Sequence, residues 1–429
     1  MNSSSIRLSG PHSREFKAVA VMALGFGLVG IDRFLIATMY PVIARDLHLS
    51  YGDIGVITGV LALAWGVSAL FTGNASDRIG RRAVLVGSMI VFALLIGASG
   101  LAAGLGGLVL VRIAMGLADG AYTPTSIAAT IEASAPQRHG LNIGIQQMML
   151  PLCGLGIAPL LVSGLLHVVT WRWVFVIFVL PGLLLAYAVS RVIPSRAPQA
   201  ALYAERRSSL RDWRAVLAYR NVPIGGALML CWLTCLISTS AFLPNYLIDY
   251  LKLSFAQMSG VMSAIGLGST LGTLALPWLS DAIGRKPVMV LSTVGALVSL
   301  LLLASAGAQV HTLFGLLFMV HFFNNALITL TVGPLCSETV PARLMATASG
   351  VVIAVGELFG GGIAPVVVGQ VAQRIGIEHI LWLPSIMMLV GLLLSLFTRE
   401  TRPSRRRRPR MHYRGNGEED TLGGQGGGL

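Results

Sequence analysis

Charged residues are scarce: Asp, Glu, Lys and Arg make up 11% of the 429 residues, and acids are outnumbered by bases, 18 to 31. Cysteines number only four, Cys153, Cys231, Cys235 and Cys336, all in or near apolar segments. Cys231 and Cys235 share a helix face, but no His or second Cys pair stands nearby, so metal-ligand spacing is missing and small apolar filler is the expected role. No Gly-x-x-x-x-Gly-Lys-Ser/Thr phosphate loop occurs, which argues against ATP-driven transport by this chain. The glycine clusters at Gly266-Leu267-Gly268 and Gly356–Gly362 fall inside apolar runs, where helix packing accounts for them better than phosphate binding. Nothing in the sequence supports an enzyme, and no cofactor is expected.

What the chain has in abundance is apolar length. Hydrophobic residues make up 55% of the sequence, in recurring runs of about twenty, long enough to cross a bilayer core. The runs predict twelve helices over 18–43, 54–74, 83–103, 107–131, 140–166, 171–193, 222–248, 256–279, 287–307, 312–335, 345–371 and 378–398. The expected organisation is a terminus (1–17), a six-helix bundle (18–193), an Arg-rich connector (194–221), a second bundle (222–400) and a basic, Gly-rich tail (401–429).

The net charge of +13 invites a nucleic-acid reading, but its distribution argues against one. With alternating sides, only Arg45, Arg172, Lys252 and Arg374 fall on the outer face, and Arg33 and Arg112 lie within spans. The remaining Lys and Arg fall inside, the positive-inside bias of a multi-pass protein with both termini in the cytoplasm. The Arg405–Arg408 run either holds anionic lipid or simply reinforces topology. A cleaved signal peptide is disfavoured, because Asp32-Arg33 interrupts the first run and its bundle needs that helix.

A ten-residue stretch occurs twice, roughly two hundred residues apart, each time between two apolar runs. It reads Gly73-Asn-Ala-Ser-Asp77-Arg78-Ile-Gly80-Arg81-Arg82 and then Pro277-Trp-Leu-Ser-Asp281-Ala282-Ile-Gly284-Arg285-Lys286. Two further landmarks keep nearly the same offset: Gly156-Ile-Ala-Pro159 with Gly362-Ile-Ala-Pro365, and Glu132, Pro136 and Arg138 with Glu338, Pro341 and Arg343. Parallel repeats of six helices about an axis along the membrane normal describe such a chain.

The first copy resembles the loop signature between helices two and three of the major facilitator superfamily, and every defining position is present. The second copy departs from it at Pro277 and Ala282. Arg112-x-x-x-Gly116 resembles the superfamily's helix-four motif. The likeness covers residues 15–400 and implies an all-α membrane protein of twelve helices in two bundles. It also implies gating roles for Gly73, Asp77, Arg78, Gly80, Arg81, Arg82 and Arg112, and for Asp281, Gly284 and Arg285 of the second copy. Physically, Gly80 supplies a turn, and Asp77 can accept from a helix N-terminus or an Arg of the neighbouring bundle. A purely topological role is the alternative.

Ionisable residues inside spans cost roughly 2.5–3.5 kcal/mol each, so those retained are expected to face a cavity or a partner. Asp32 and Arg33 come mid-way along helix one. Arg33 can fork two hydrogen bonds onto a carboxylate, and Asp32 can titrate. The pair resembles the helix-one Asp-Arg of the anion:cation symporter branch, which implies Arg33 as carboxylate site and Asp32 in proton coupling. Asp119 lies two turns from Arg112 on one helix face. The same branch more often has Glu at that position and uses it for protons. An internal salt bridge for Asp32-Arg33, and a static hydrogen-bonded acid for Asp119, are the alternatives.

In the second half, His321, Asn324, Asn325 and Thr329 form a polar stripe on helix ten. The stripe either contacts substrate or satisfies local backbone, and His321 is also a candidate for proton coupling. Glu357 is either a second proton site or a partner for Arg33. Gln146, Gln147, Tyr40, Tyr122, Trp232 and Tyr246 are further candidate contacts, though an isolated aromatic more often packs or anchors.

The sequence therefore reads as a secondary transporter of the inner cell membrane, a monomer, taking up a small organic anion with protons and driven by the proton gradient. The alternatives are a proton-driven exporter of drugs or metabolites, whose helix-five motif Gly156-Ile-Ala-Pro159 partly resembles, and a transporter-like sensor. The short connector and tail carry no evident signalling module for the latter.

Overall fold

The computed structural model describes residues 11–194, 210–336, 338–341 and 344–401. Arg343, most of the connector and the Arg405–Arg408 tail lie outside the described residues, as do the side chains of 70–78, which include Asp77 and Arg78. Gly73 falls in the same stretch of helix.

Twelve helices are long and apolar enough to cross a membrane. They are α1 (Pro11–Leu47), α2 (Tyr51–Ile79), α3 (Arg81–Ser99), α4 (Leu105–Ala133), α5 (His139–Leu165) and α6 (Trp171–Val192) in the first half. The second half holds α7 (Asn221–Tyr250), α8 (Phe255–Ile283), α9 (Arg285–Ser305), α10 (Val310–Leu335), α11 (Thr347–Arg374) and α12 (Ile377–Leu396). A short helix, Leu210–Leu217, precedes α7. All twelve expected spans are present.

The repeated motif differs from its expected form. It is not an extended loop: α2 continues helical through Gly73 to Ile79 and α8 through Pro277 to Ile283, and both end only at Gly80 and Gly284. Those two glycines alone make the turns, at φ +98° and +113°, a region that side chains disfavour.

The halves are braced alike at the end that carries the termini. Arg81 pairs with Glu132 at 3.0 Å, and Arg285 pairs with Glu338 at 2.9 Å. Glu400 accepts hydrogen bonds from the backbone N–H groups of Arg285 and Lys286 at 2.9 and 3.0 Å, closing the N-terminus of α9 with negative charge.

The Gly-Ile-Ala-Pro repeats mark a second shared device. Helical turns widen to π geometry over Leu152–Ile157 in α5 and Gly356–Ile363 in α11, just before Pro159 and Pro365. Proline has no N–H for the carbonyl four residues earlier, and a widened turn accommodates the missing bond.

Contacts between the halves gather at mid-depth and at the end opposite the termini. There α2 lies on α11, with Gly55 against the Pro365 carbonyl and Gly59 against that of Gly362. Similarly α5 meets α8 where Gly156 and Gly266 touch backbone to backbone. The phenol of Tyr51 donates to Asp249 at 3.0 Å and its backbone N–H to Gln373 at 3.1 Å, while Arg45 reaches Asp249 at 3.4 Å.

Candidate functional site

The ionisable residues buried at mid-depth converge. Asp32 and Arg33 sit on α1 because the helix runs unbroken from Pro11 to Leu47 and carries them to the bundle axis. Being adjacent, they point about 100° apart and address different neighbours.

Arg33 faces the other half. Its guanidinium donates to both carboxylate oxygens of Glu357 on α11, at 2.8 and 3.3 Å, a two-point fork that joins the halves at mid-membrane. The indole of Trp65, on α2, lies against the same guanidinium, 4.6 Å from ring centre to Cζ. Both charged side chains are about nine-tenths buried.

Asp32 faces its own half. Arg112, on α4, donates to the Asp32 backbone carbonyl at 2.9 Å and lies 3.6 Å from its carboxylate. Asp119, seven residues on and on the same face of α4, comes within side-chain range of Asp32. Asp32 and Asp119 are fully buried, and apart from their approach to one another none of their four carboxylate oxygens accepts a hydrogen bond from a donor among the described residues. Such oxygens are costly unless a proton or a cation serves them.

The structure therefore places Arg112 beside the two acids, away from the terminal-end turns for which its motif suggested a gating part. Arg81 and Arg285 are in those turns, each held by an acid of its own half. Asp281 pairs with Arg285 at 2.5 Å, and Arg82 is half-buried next to Gly80.

Other candidates are spread more widely. Gln146 is tied to α4, accepting from Thr130 and donating to Ser126 at 2.8 Å, while Gln147 is exposed. Tyr40 donates to the Ser50 carbonyl at 2.6 Å and fastens the α1–α2 turn. In the second half, His321 meets Thr239 at 3.2 Å. Asn324 donates to the Trp232 carbonyl at 3.1 Å and Asn325 to Ser269 at 2.6 Å, so both donors serve contacts within their own half. His321 Nδ1 and Asn324 Oδ1 have no hydrogen-bond partner among the described residues. Trp65, Tyr51 and Asp249 were not singled out from the sequence; the acid at the end of α7 was the available signal.

The space beside Arg33 and Arg112 is small. A cavity of about 20 Å³ is lined there by Phe34, Thr58 and Leu61 of the first half and Ile237 and Ala241 of the second. That is room for about one water, so a solute enters only when the halves part.

Comparison with known proteins agrees with this two-half plan. The Major Facilitator Superfamily profile matches residues 22–361 and 237–417. The chain belongs to the Major Facilitator Superfamily. It is accordingly a multi-pass membrane transporter and not an enzyme.

The chain is 28% identical to the 3-(3-hydroxy-phenyl)propionate transporter of Escherichia coli over 305 residues, 70% of this chain and 73% of that one. It is 27% identical over 404 residues to an efflux pump of the superfamily from Mycolicibacterium smegmatis, covering 90% of this chain and 92% of the other. A bacterial homologue of the human lysosomal transporter Spinster, solved inward-facing and unoccupied, shares the fold. Its TM-score is 0.67 at 16% identity, over 90% of this chain and 95% of that chain.

Proposed function

We propose that this transporter takes up a small organic anion together with protons across the inner cell membrane, with both termini in the cytoplasm and the monomer as the working unit. The observation that carries the reading is the charge balance at mid-depth, where three buried acids, Asp32, Asp119 and Glu357, meet two arginines, Arg33 and Arg112. One proton neutralises that set, and Asp32 with Asp119 is where it rests, because their carboxylates face each other's charge with unpartnered oxygens.

Arg33 is the anion seat. A guanidinium already geared to a two-point carboxylate contact, backed by an indole, fits a substrate carboxylate without remodelling. Acid-carrying relatives such as the hydroxyphenylpropionate transporter support that class.

Alternating access then takes the form of rocking the halves about this centre. With the termini inside, the Gly156–Gly266 and Tyr51–Asp249 contacts tie the halves together on the outer side. The turns at Gly80 and Gly284 and the paired Arg81 and Arg285 act in closing the cytoplasmic side, together with Asp77.

The efflux relative favours a second reading, in which protons drive a drug or metabolite outward. Purified protein in liposomes holding a pH dye separates the two. External sugar acids, aromatic acids or small carboxylates are expected to acidify the interior, Arg33→Ala to abolish the signal and Asp119→Asn to weaken it. Proton movement with cationic or neutral drugs alone, with Arg33 dispensable, supports export instead.

A further inference from the structure

The proposed anion seat is already filled by a carboxylate of the protein itself. Glu357 holds Arg33 through both oxygens, which is the contact a substrate carboxylate would make, and Arg33 also lines the small neighbouring cavity. We propose that Glu357 is an internal competitor for the transported anion, so that the substrate carboxylate displaces it from Arg33 and the released Glu357 carries a proton of its own. This inference rests on the reading of Arg33 as the anion seat.

The surroundings of Glu357 set the outcome of displacement. It lies on the widened stretch Gly356–Ile363 of α11, against α2 and α7. Its own helix carries no other charged residue until Arg374 at the far end. From α2, no charged residue stands between Asp53 and the end of the apolar span at Ala69. Along the facing part of α7 the titratable groups are Cys231 and Cys235, with Asp249 and its tyrosine neighbours at the far end. From α1 come Arg33 and, turned toward the first half, Asp32, with Arg112 and Asp119 behind it. Arg33 is thus the cation that offsets Glu357. Once a substrate takes it, an ionised Glu357 would stay buried and uncompensated, and a proton on one of its oxygens removes that cost.

The pair also spans the two halves, from α1 to α11, with Gly361 and Gly362 beside the glutamate so that α2 packs close. In the empty carrier it ties the halves at mid-depth. Anion binding unties them, which links occupancy to movement through one ion pair.

The test uses the full-length purified protein and measures binding of glucuronate, benzoate and 3-(3-hydroxyphenyl)propionate from pH 5.5 to 8, with protons taken up per anion bound. For the wild type, affinity is expected to rise as pH falls. In Glu357→Gln the seat is permanently free, so binding is expected to tighten by about tenfold near neutral pH. Its pH dependence should flatten, and one fewer proton should enter per anion. Glu357→Asp, whose shorter side chain keeps the acid but weakens the fork, is expected to fall between the two and covers a folding failure of the amide variant. If Glu357→Gln binds no tighter and takes up as many protons as the wild type, the competitor role is overturned while the anion seat stands. If neither protein binds any of the three carboxylates, both the seat and the competitor fail.

Discussion

At the scale of single residues, function concentrates where burial and charge conflict. Arg33 forks onto Glu357 and packs on Trp65, a geometry an ammonium cannot reproduce. Arg33→Lys is expected to raise the KM for a carboxylate by about tenfold or more with a smaller change in kcat, as loss of a two-point contact worth on the order of 1.4 kcal/mol or more requires. An unchanged KM in initial-rate uptake would place the anion elsewhere. Asp32, Arg33 and Asp119 are legible in the sequence because ionisable residues are rare in apolar spans and therefore conspicuous. Their partners are less so. Glu357 stands 324 positions from Arg33, and the sequence offers pairing only as one option for it. Arg112 carries a motif whose usual role points to a gate, whereas its depth along α4 brings it to Asp32. Trp65 gives no signal at all, since an indole in an apolar run resembles ordinary packing.

At the scale of elements, the repeat shows itself twice, as a glycine turn and as a widened helix. Gly284 has φ +113°, and a Cβ there would also crowd the Glu400 carboxylate that closes the start of α9. Gly284→Ala is expected to cost about 1–2 kcal/mol. The thermal midpoint of the purified protein should fall by about 2–4 °C. The seam between α5 and α8 makes the opposite kind of demand. A side chain on Gly266 would run into the Gly156 backbone, so Gly266→Leu is expected to disfavour the state closed at that end. Labelling of a cysteine placed in that seam should accelerate. Helix number and approximate ends were legible from hydropathy because twelve runs of bilayer length have no other good explanation. The helical character of 74–79 was not: polar residues there suggested a loop, but polarity does not break a helix, and only Gly80 does.

At the scale of the whole molecule, two halves meet along a glycine-lined seam and are tied by a few polar contacts. Tyr51 and Asp249 join them at the end opposite the termini, and Arg33 and Glu357 join them at mid-depth. Removing the outer tie with Tyr51→Phe and Asp249→Asn is expected to shift the population toward opening at that end by about fivefold, the worth of about 1 kcal/mol of hydrogen bonding. Spin-label distances across the two halves would report it, and an unchanged distribution would assign closure to the glycine seam alone. The repeat predicted this two-part plan, but which end is closed depends on contacts between residues some one hundred to three hundred positions apart, which periodicity does not reveal. The central claim is that anion binding at Arg33 and proton binding at Asp32 with Asp119 are separate acts joined by one carrier. The most direct measurement follows labelled carboxylate in liposomes carrying the wild type or Asp119→Asn, under an imposed pH gradient and, separately, in exchange against internal carboxylate. The account predicts that the wild type accumulates the anion with the gradient, and that Asp119→Asn, left with the proton that Glu357 takes up, exchanges it but accumulates it to a lower level. Gradient-driven accumulation by Asp119→Asn at the wild-type level would contradict the account.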